Sequence, residues 1–531
     1  MKSCFFVSLL MMFVTASCSG KTVPAGNGKD EGTDVPEANI EVKLAADRTT
    51  VLKNPLNGWV MYVSGSSDPS YFDKEFYVSS LGKNVKVRDY ASCFYVRTGW
   101  KTFNPEEGVY FWQIPDNPLN LLYKRAQELG LPMAFRVVVD GRDQRENTPQ
   151  WVFDKGAEYW LSDPRFPDRK TPLAIDPVWR KCYEQFIEAF AAEFNDPDKL
   201  AFIDAYGLGK WGEGHNVCYE QNNAITDRTE EYKEDTMRWI TGLYSRCFTK
   251  VPLVINYHRQ IGCPVSEGKE ANPNSEKVLQ IAIDNGYCLR ADSFGMTNQD
   301  WGYNDWERQF VRKWNFRLPV IMEGGYIVSS HSYWNDPAGY RKGHPEDVRE
   351  GEFNESMAAC VNMMDFRVGD ETASWFEDAF SYVERFVQEG GYRFYPEVVT
   401  VPEKVSGGAG VTVTSKWINL GWGYCPVNLK QWNQKYKVAY ALLDIQTGEP
   451  VYEFVDWKSD LSKWLKGTPV TYSFDISFKG VAAGAYIWAV GLVDTTKEKE
   501  KGIHETGIGM SLDKSCLTDE GWAKIATVSV E

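Results

Sequence analysis

The sequence predicts an α/β protein: a (β/α)8 TIM barrel followed by a C-terminal immunoglobulin-like β-sandwich. Three observations carry this. Between residues 57 and 392, eight short apolar runs alternate with stretches of helical periodicity, the count such a barrel requires. After Pro396 the helical periodicity stops, and seven strand-like runs follow, separated by Gly, Pro or charged turns. No GxGxxG follows the first strand, which argues against a doubly wound open sheet.

Taken in chain order, residues 1–17 (MKSCFFVSLLMMFVTAS) read as a lipoprotein signal peptide: a lysine, an apolar run too short to span a membrane, then small residues. The Ala16-Ser17-Cys18 ending resembles a bacterial lipoprotein cleavage box, which implies lipidation of Cys18 and a cell-envelope location; plain secretion is the alternative. Residues 18–42 are rich in Gly, Pro and charge and read as a flexible tether. The barrel is assigned to 43–395. Its predicted strands are 57–63, 92–100, 133–139, 201–207, 252–258, 288–295, 319–325 and 372–376. Helices are predicted at 119–129, 179–194, 230–248, 275–285, 304–316, 352–366 and 381–389. The sandwich is assigned to 396–531.

Composition narrows the function. The net charge is −15, which argues against a nucleic-acid partner and against a basic membrane-surface helix; membrane contact is expected through the lipid anchor only. The chain holds 20 Trp, 28 Tyr and 28 Phe, a supply of rings suited to the C–H faces of sugars. Nine of the eleven cysteines lie beyond Cys18, widely spaced and without CxxC, so neither a zinc ribbon nor a disulfide scaffold is indicated. HExxH, GxSxG and the phosphate-binding GxxxxGK[ST] are all missing from the sequence. No cofactor and no metal are predicted, although His215, His258 and His331 with nearby acids are conceivable ligands.

Barrel active sites are built at the C-terminal ends of the strands. The fourth strand runs into YGLGKWGEGHN (206–216), where glycines and Trp211 surround Glu213 and His215. The seventh runs into PVIMEGGY (319–326), an apolar run that ends on Glu323 and is followed by Tyr326. Cleavage of a glycosidic bond uses two carboxyl groups, one protonating the leaving oxygen and the other attacking the anomeric carbon or activating water. Arg97, Trp100, Arg136, Asp140, Asn256, Tyr257, His258, Arg290 and Asp292 also lie at or near strand ends and are candidate substrate-binding residues. The competing reading of the charged ones is ion pairs inside the barrel, such as Arg136 with Asp140 or Asp292.

Glutamates after strands four and seven resemble the clan of retaining (β/α)8 glycoside hydrolases, over about residues 50–392 and in architecture rather than close sequence. The resemblance implies that Glu213 is the acid/base, Glu323 the nucleophile and Trp375 the platform under the sugar. It departs at Gly212, where that clan carries Asn. GLGKWGE also resembles a stretch of inverting β-amylases, so inversion stays open. NPLNGW (54–59), RTGWKTFNPEEGVYFW (97–112) and WGEGH together resemble uncharacterised β-galactosidase-like lipoproteins of polysaccharide-utilisation systems. The expected partner is a carbohydrate substrate, with a non-catalytic glycan-binding protein as the alternative. Glutamine at 213 or 323 is expected to keep the fold and remove most turnover. For the sandwich, a role in bracing the barrel is favoured over sugar binding through Trp417, Trp422 or Trp432.

Overall fold

The computed structural model describes residues 39–65, 68–142, 147–265, 270–294, 303–330 and 345–531. The predicted leader, Cys18, most of the tether and His331 fall outside these ranges.

The first strand, β1 (Asn39–Lys43), lies outside the barrel. The barrel consists of β2 (Gly58–Ser64), β3 (Ala91–Gly99), β4 (Met133–Val138), β5 (Leu200–Asp204), β6 (Leu253–Asn256), β7 (Tyr287–Phe294), β8 (Val320–Gly324) and β9 (Met363–Asp365). All neighbours are parallel, and β9 pairs with β2 to close the ring. Seven of these strands lie where the sequence predicts them. The eighth does not: 372–376 belongs to a helix, Asp370–Glu377, and the strand is the three-residue β9. A short apolar run has no period long enough to separate strand from helix. Thr372, Trp375 and Phe376 are buried on one face at helical spacing, and β9 falls inside the helix predicted over 352–366.

Around the barrel, the longest helices show why they form. Pro177–Phe194 opens on Asp176, whose carboxylate accepts from Trp179 N at 2.7 Å, with Pro177 in the first turn. Trp179, Tyr183, Phe186, Ile187, Phe190 and Phe194 then recur at three- and four-residue spacing and are all buried. Strand residues alternate. Trp59, Met61 and Val63 of β2 pack into the layer beneath the helices. Trp59 stacks on Phe366 at 4.3 Å, meets Trp375 and Phe386 edge-on at 5.0 and 5.1 Å, and donates from Nε1 to Val383 O. Trp59→Ala is expected to lower stability by about 3–5 kcal/mol in denaturant titration, since no neighbour can collapse into so large a gap.

The alternate residues fill the barrel. One from each strand forms a lower layer: Val60, Cys93, Ala134, Phe202, Val254, Cys288, Ile321 and Met363. All are apolar and continuous with the sandwich core. Two residues further along every strand comes the next layer: Tyr62, Tyr95, Arg136, Asp204, Asn256, Arg290, Glu323 and Asp365. Each is at most 1% exposed, and none is aliphatic. The barrel therefore changes from an oily floor to a polar lattice within one inward step, a layering that comes from strand periodicity.

The sandwich packs one sheet, β1 with β10 (Phe394–Pro402), β12 (Gly410–Asn419) and β15 (Val470–Ser477), against a second. The second sheet runs β11 (Lys404–Val405), β18 (Ala523–Val530), β16 (Gly484–Glu498), β13 (Tyr436–Asp444) and β14 (Pro450–Asp456), with β17 (His504–Thr506) beside β16. The last residues of the predicted tether, 39–42, are strand. Ile40 and Val42 pair with Val401 and Val399, so 39–42 is an edge strand of the sandwich whose two apolar residues are too few to stand out in sequence.

The sandwich meets the barrel at the N-terminal ends of the strands. Trp422 Nε1 donates to Val361 O at 2.9 Å, Asn428 to Arg317 O at 2.9 Å and Gln431 to Gly286 O at 3.3 Å, while Asn362 donates to Leu56 O and Tyr424 O. It plugs the floor of the barrel. Trp417, Trp422 and Trp432 are buried at 1, 6 and 3% exposure, which fits bracing rather than sugar binding. Cys93, Cys182, Cys218, Cys247, Cys288, Cys360, Cys425 and Cys516 form no disulfide among the described residues, and Cys263 Sγ accepts from Lys233 Nζ at 3.5 Å. Among the described residues no helix is long and apolar enough to cross a membrane.

Candidate active site

The two glutamates singled out by sequence converge on a shared set of arginines. Arg136, in β4, donates from Nε to Asp204 at 2.7 Å, from Nη1 to Glu213 Oε1 at 2.5 Å and from Nη2 to Glu323 Oε2 at 2.7 Å. Arg290, in β7, reaches Glu323 Oε2 at 3.0 Å and Asp365 at 3.4 Å, and lies over the Tyr95 ring. Arg367, just beyond β9, donates to Glu323 Oε1. Arg97, in β3, stands 3.1 Å from Glu213 Oε1 and 3.9 Å from Glu323 Oε1. With both distances taken from the same Nη1, the two carboxylates lie within about 7 Å of one another, compatible with a retaining separation of about 5–5.5 Å or the short end of an inverting one.

The loop carrying Glu213 is shaped by backbone conformation. Gly212 has φ +76°, and a Cβ there would lie 3.1 Å from Arg136 Cδ. Asparagine, the residue of the resembled clan, would be strained in this backbone and crowded against the arginine, which accounts for the departure at 212. Lys210 N to His215 O and Gly214 N to Leu208 O close the turn. His258 Nδ1 accepts from Gln260 N, so Nε2 carries the hydrogen donated to Glu213 O at 2.9 Å. The ring of His215 stacks on that of His258 at 3.9 Å. Burial lowers the pKa of both imidazoles and keeps them neutral.

The environments push the two acids apart. Burial, reinforced by the Asp292 carboxylate, raises Glu213 to about 7 against the pull of Arg136 and Arg97. Burial acts to raise Glu323 as well, but Arg136, Arg367, Arg290 and Arg97 overwhelm it and hold the carboxyl well below the usual range. One protonated and one ionised carboxyl is the division of labour that acid–nucleophile chemistry needs.

The other predicted residues divide. Arg97, Arg136, Asn256, His258 and Arg290 line the barrel interior beside the glutamates. Asn256 Nδ2 and Oδ1, Arg290 Nη1 and Tyr62 Oη find no protein partner among the described residues, leaving buried polar atoms for hydroxyls or solvent. Glu213, His215 and Asp292 each offer one ligand atom within 4.8 Å of the others. A cation there would compete with the proton on Glu213. Trp211 and Tyr326 are 38 and 36% exposed, and Arg367 lies 4.6 Å over the Tyr326 ring.

Four predictions fail. Trp100 follows the strand with outward parity and packs edge-on against Tyr183 and Trp151, fully buried. Trp375 is no platform: it sits on the helix at 370–377, wedged between Trp59 and Arg349 with no exposed surface. Tyr257 points opposite to Asn256, and its hydroxyl meets that of Tyr303 at 2.9 Å. Asp140 braces its own loop through Arg142 and Thr171 Oγ1. The suggested pairing of Arg136 with Asp140 or Asp292 gives way to Asp204, Glu213 and Glu323. Sequence reasoning missed Asp204, Asp365 and Arg367. Asp204 is legible as a lone acid inside an apolar strand, whereas the other two were hidden by the misplaced eighth strand.

No family model and no curated protein sequence matches the chain. Among solved structures it is similar to an endo-β-1,4-mannanase from Thermotoga petrophila, at 10% identity and TM-score 0.36, covering 90% of this chain and 98% of that one. It is also similar to the catalytic domain of a β-amylase from Paenibacillus polymyxa (10% identity, TM-score 0.38, 62% and 98% covered). A third is endo-glycoceramidase II from Rhodococcus sp. (12% identity, TM-score 0.36, 81% and 99% covered). Likeness this distant carries no argument about chemistry.

Proposed function

We propose that the protein is a glycoside hydrolase acting on an oligo- or polysaccharide, with Glu213 as acid/base, Glu323 as nucleophile and net retention. The observation that carries this is the pair itself: two carboxylates from strands four and seven, within about 7 Å by their shared distances to Arg97, with pKa values pushed in opposite directions. Glu323 attacks the anomeric carbon while Glu213 gives its proton to the departing oxygen. Water then attacks the glycosyl ester as Glu213 takes the proton back. In the first step one negative charge leaves Glu323 and one appears on Glu213. Arg136 donates to both carboxylates, so the glutamate pair presents it with one negative charge before and after, without reorganising, while its contact with Asp204 is unchanged. The leader resemblance supports the further proposal that lipidated Cys18 holds the enzyme at the cell envelope.

A second reading, a glycan-capture protein without turnover, is favoured by the enclosure of Glu323, which has no exposed surface and accepts from Arg136, Arg290 and Arg367. Purified protein assayed on a panel of aryl glycosides and polysaccharides separates the two. Hydrolysis that disappears in Glu213→Gln and Glu323→Gln is expected. Turnover surviving in both variants would remove the assignment, and binding without turnover would favour capture. The anomeric form of the first product, followed by NMR, distinguishes retention from inversion.

A further inference from the structure

Trp211 is held in a conformation that its side chain opposes. It has φ +58°, the left-handed region, in a turn where Gly209, Gly212 and Gly214 adopt similar values at little steric cost. A bulky residue there is an outlier that usually needs a reason. Core packing does not supply one. The indole is 38% exposed; its ring stands at 75° to His215 with centroids 5.7 Å apart, and Lys210 Nζ lies 5.5 Å from it. Its backbone oxygen faces Arg136 Nη1 at 3.5 Å, which ties the turn to the arginine shared by both glutamates. Trp375, the ring expected under the sugar, is buried in the outer wall, so the platform role falls to an exposed aromatic of the site.

We propose that Trp211 is the stacking platform for the departing sugar, and that the substrate is therefore an oligosaccharide whose leaving unit is a pyranose with a C–H-rich face. This rests on the hydrolase reading. Glu213 delivers its proton to the oxygen of the leaving unit, and Trp211 lies two residues before it in the same turn, so the ring belongs to the leaving side of the bond. On the other side, Tyr326 follows Glu323 by three residues with Arg367 over its ring.

The test is Trp211→Gly, because glycine suits this backbone. Its melting temperature is expected to equal or exceed that of the parent. Its kcat/KM on an oligosaccharide is expected to fall by about tenfold or more beyond any fall on the glycosyl fluoride of the same sugar, which has no leaving ring. Equal effects on both substrates, or a lowered melting temperature, would overturn the proposal. If the parent hydrolyses neither, the hydrolase reading falls and Trp211 is judged by affinity electrophoresis in polysaccharide gels. Retardation weakened in the variant supports it, and equal mobility of parent and variant overturns it.

Discussion

Glu323→Gln is expected to lower activity by about a thousandfold or more and also to destabilise the protein by about 3–5 kcal/mol, although the exchange is nearly isosteric. Sequence reasoning expects the fold to be unaffected, because there the glutamate is a strand-end acid with one job. In the structure it is the central anion of a buried lattice. Arg136, Arg290 and Arg367 all donate to it and Arg97 stands at 3.9 Å. Removing its charge leaves those guanidinia sharing Asp204, Asp365 and Glu213, all three of which burial already pushes up, Asp365 to about 6 and Glu213 to about 7. An uncompensated buried charge costs more than a lost hydrogen bond. Urea unfolding and turnover should be measured together, well below the melting temperature. A variant as stable as the parent would mean that the arginines do not depend on Glu323, and a stable variant with parental turnover would remove it from the chemistry.

The polar layer explains which parts of the site are legible in sequence. Glycines around Glu213 and an apolar run ending on Glu323 are local signals, and both acids do meet. Strand parity is also local, and applied strictly it separates Arg97 and Asn256, which face inward, from Trp100 and Tyr257, which face the helices. What no local pattern carries is the partnering. Arg136 bonds residues 68, 77 and 187 positions away, and its choice of Asp204, Glu213 and Glu323 over Asp140 follows from barrel closure rather than spacing. The misplaced eighth strand had the largest consequence. With β9 only three residues long, Asp365 falls inside the helix predicted over 352–366 and Arg367 just past its end, and Trp375 is placed at a strand end it does not occupy. The sandwich strands after Pro396 were legible because alternation and turn residues repeat there, whereas Asn39–Lys43, with two apolar residues, was too short to register.

Glu213→Gln is expected to abolish the alkaline limb of the pH profile. In the parent, kcat/KM on a substrate with a poor leaving group should fall about tenfold per pH unit above pH 7, as Glu213, held at about 7, loses the proton it must donate. Glutamine cannot donate in that way, so the variant should be slower by about a hundredfold to ten-thousandfold and flat through the same range. Activated aryl glycosides, whose leaving groups need no proton, should suffer least. The same raised pKa sets the sign of the stability change. Between the ordinary carboxyl value of 4.5 and about 7, the folded protein holds a proton that the unfolded chain has released, so Glu213 makes stability decline as pH rises through that window. Glu323, held low, acts oppositely: its contribution is present above 4.5 and is lost as pH falls through its folded value. The glutamine variant at 213 should therefore unfold with a weaker pH dependence between 4.5 and 7 than the parent. An unchanged alkaline limb in that variant would assign the proton to another group of the lattice and take the acid role from Glu213.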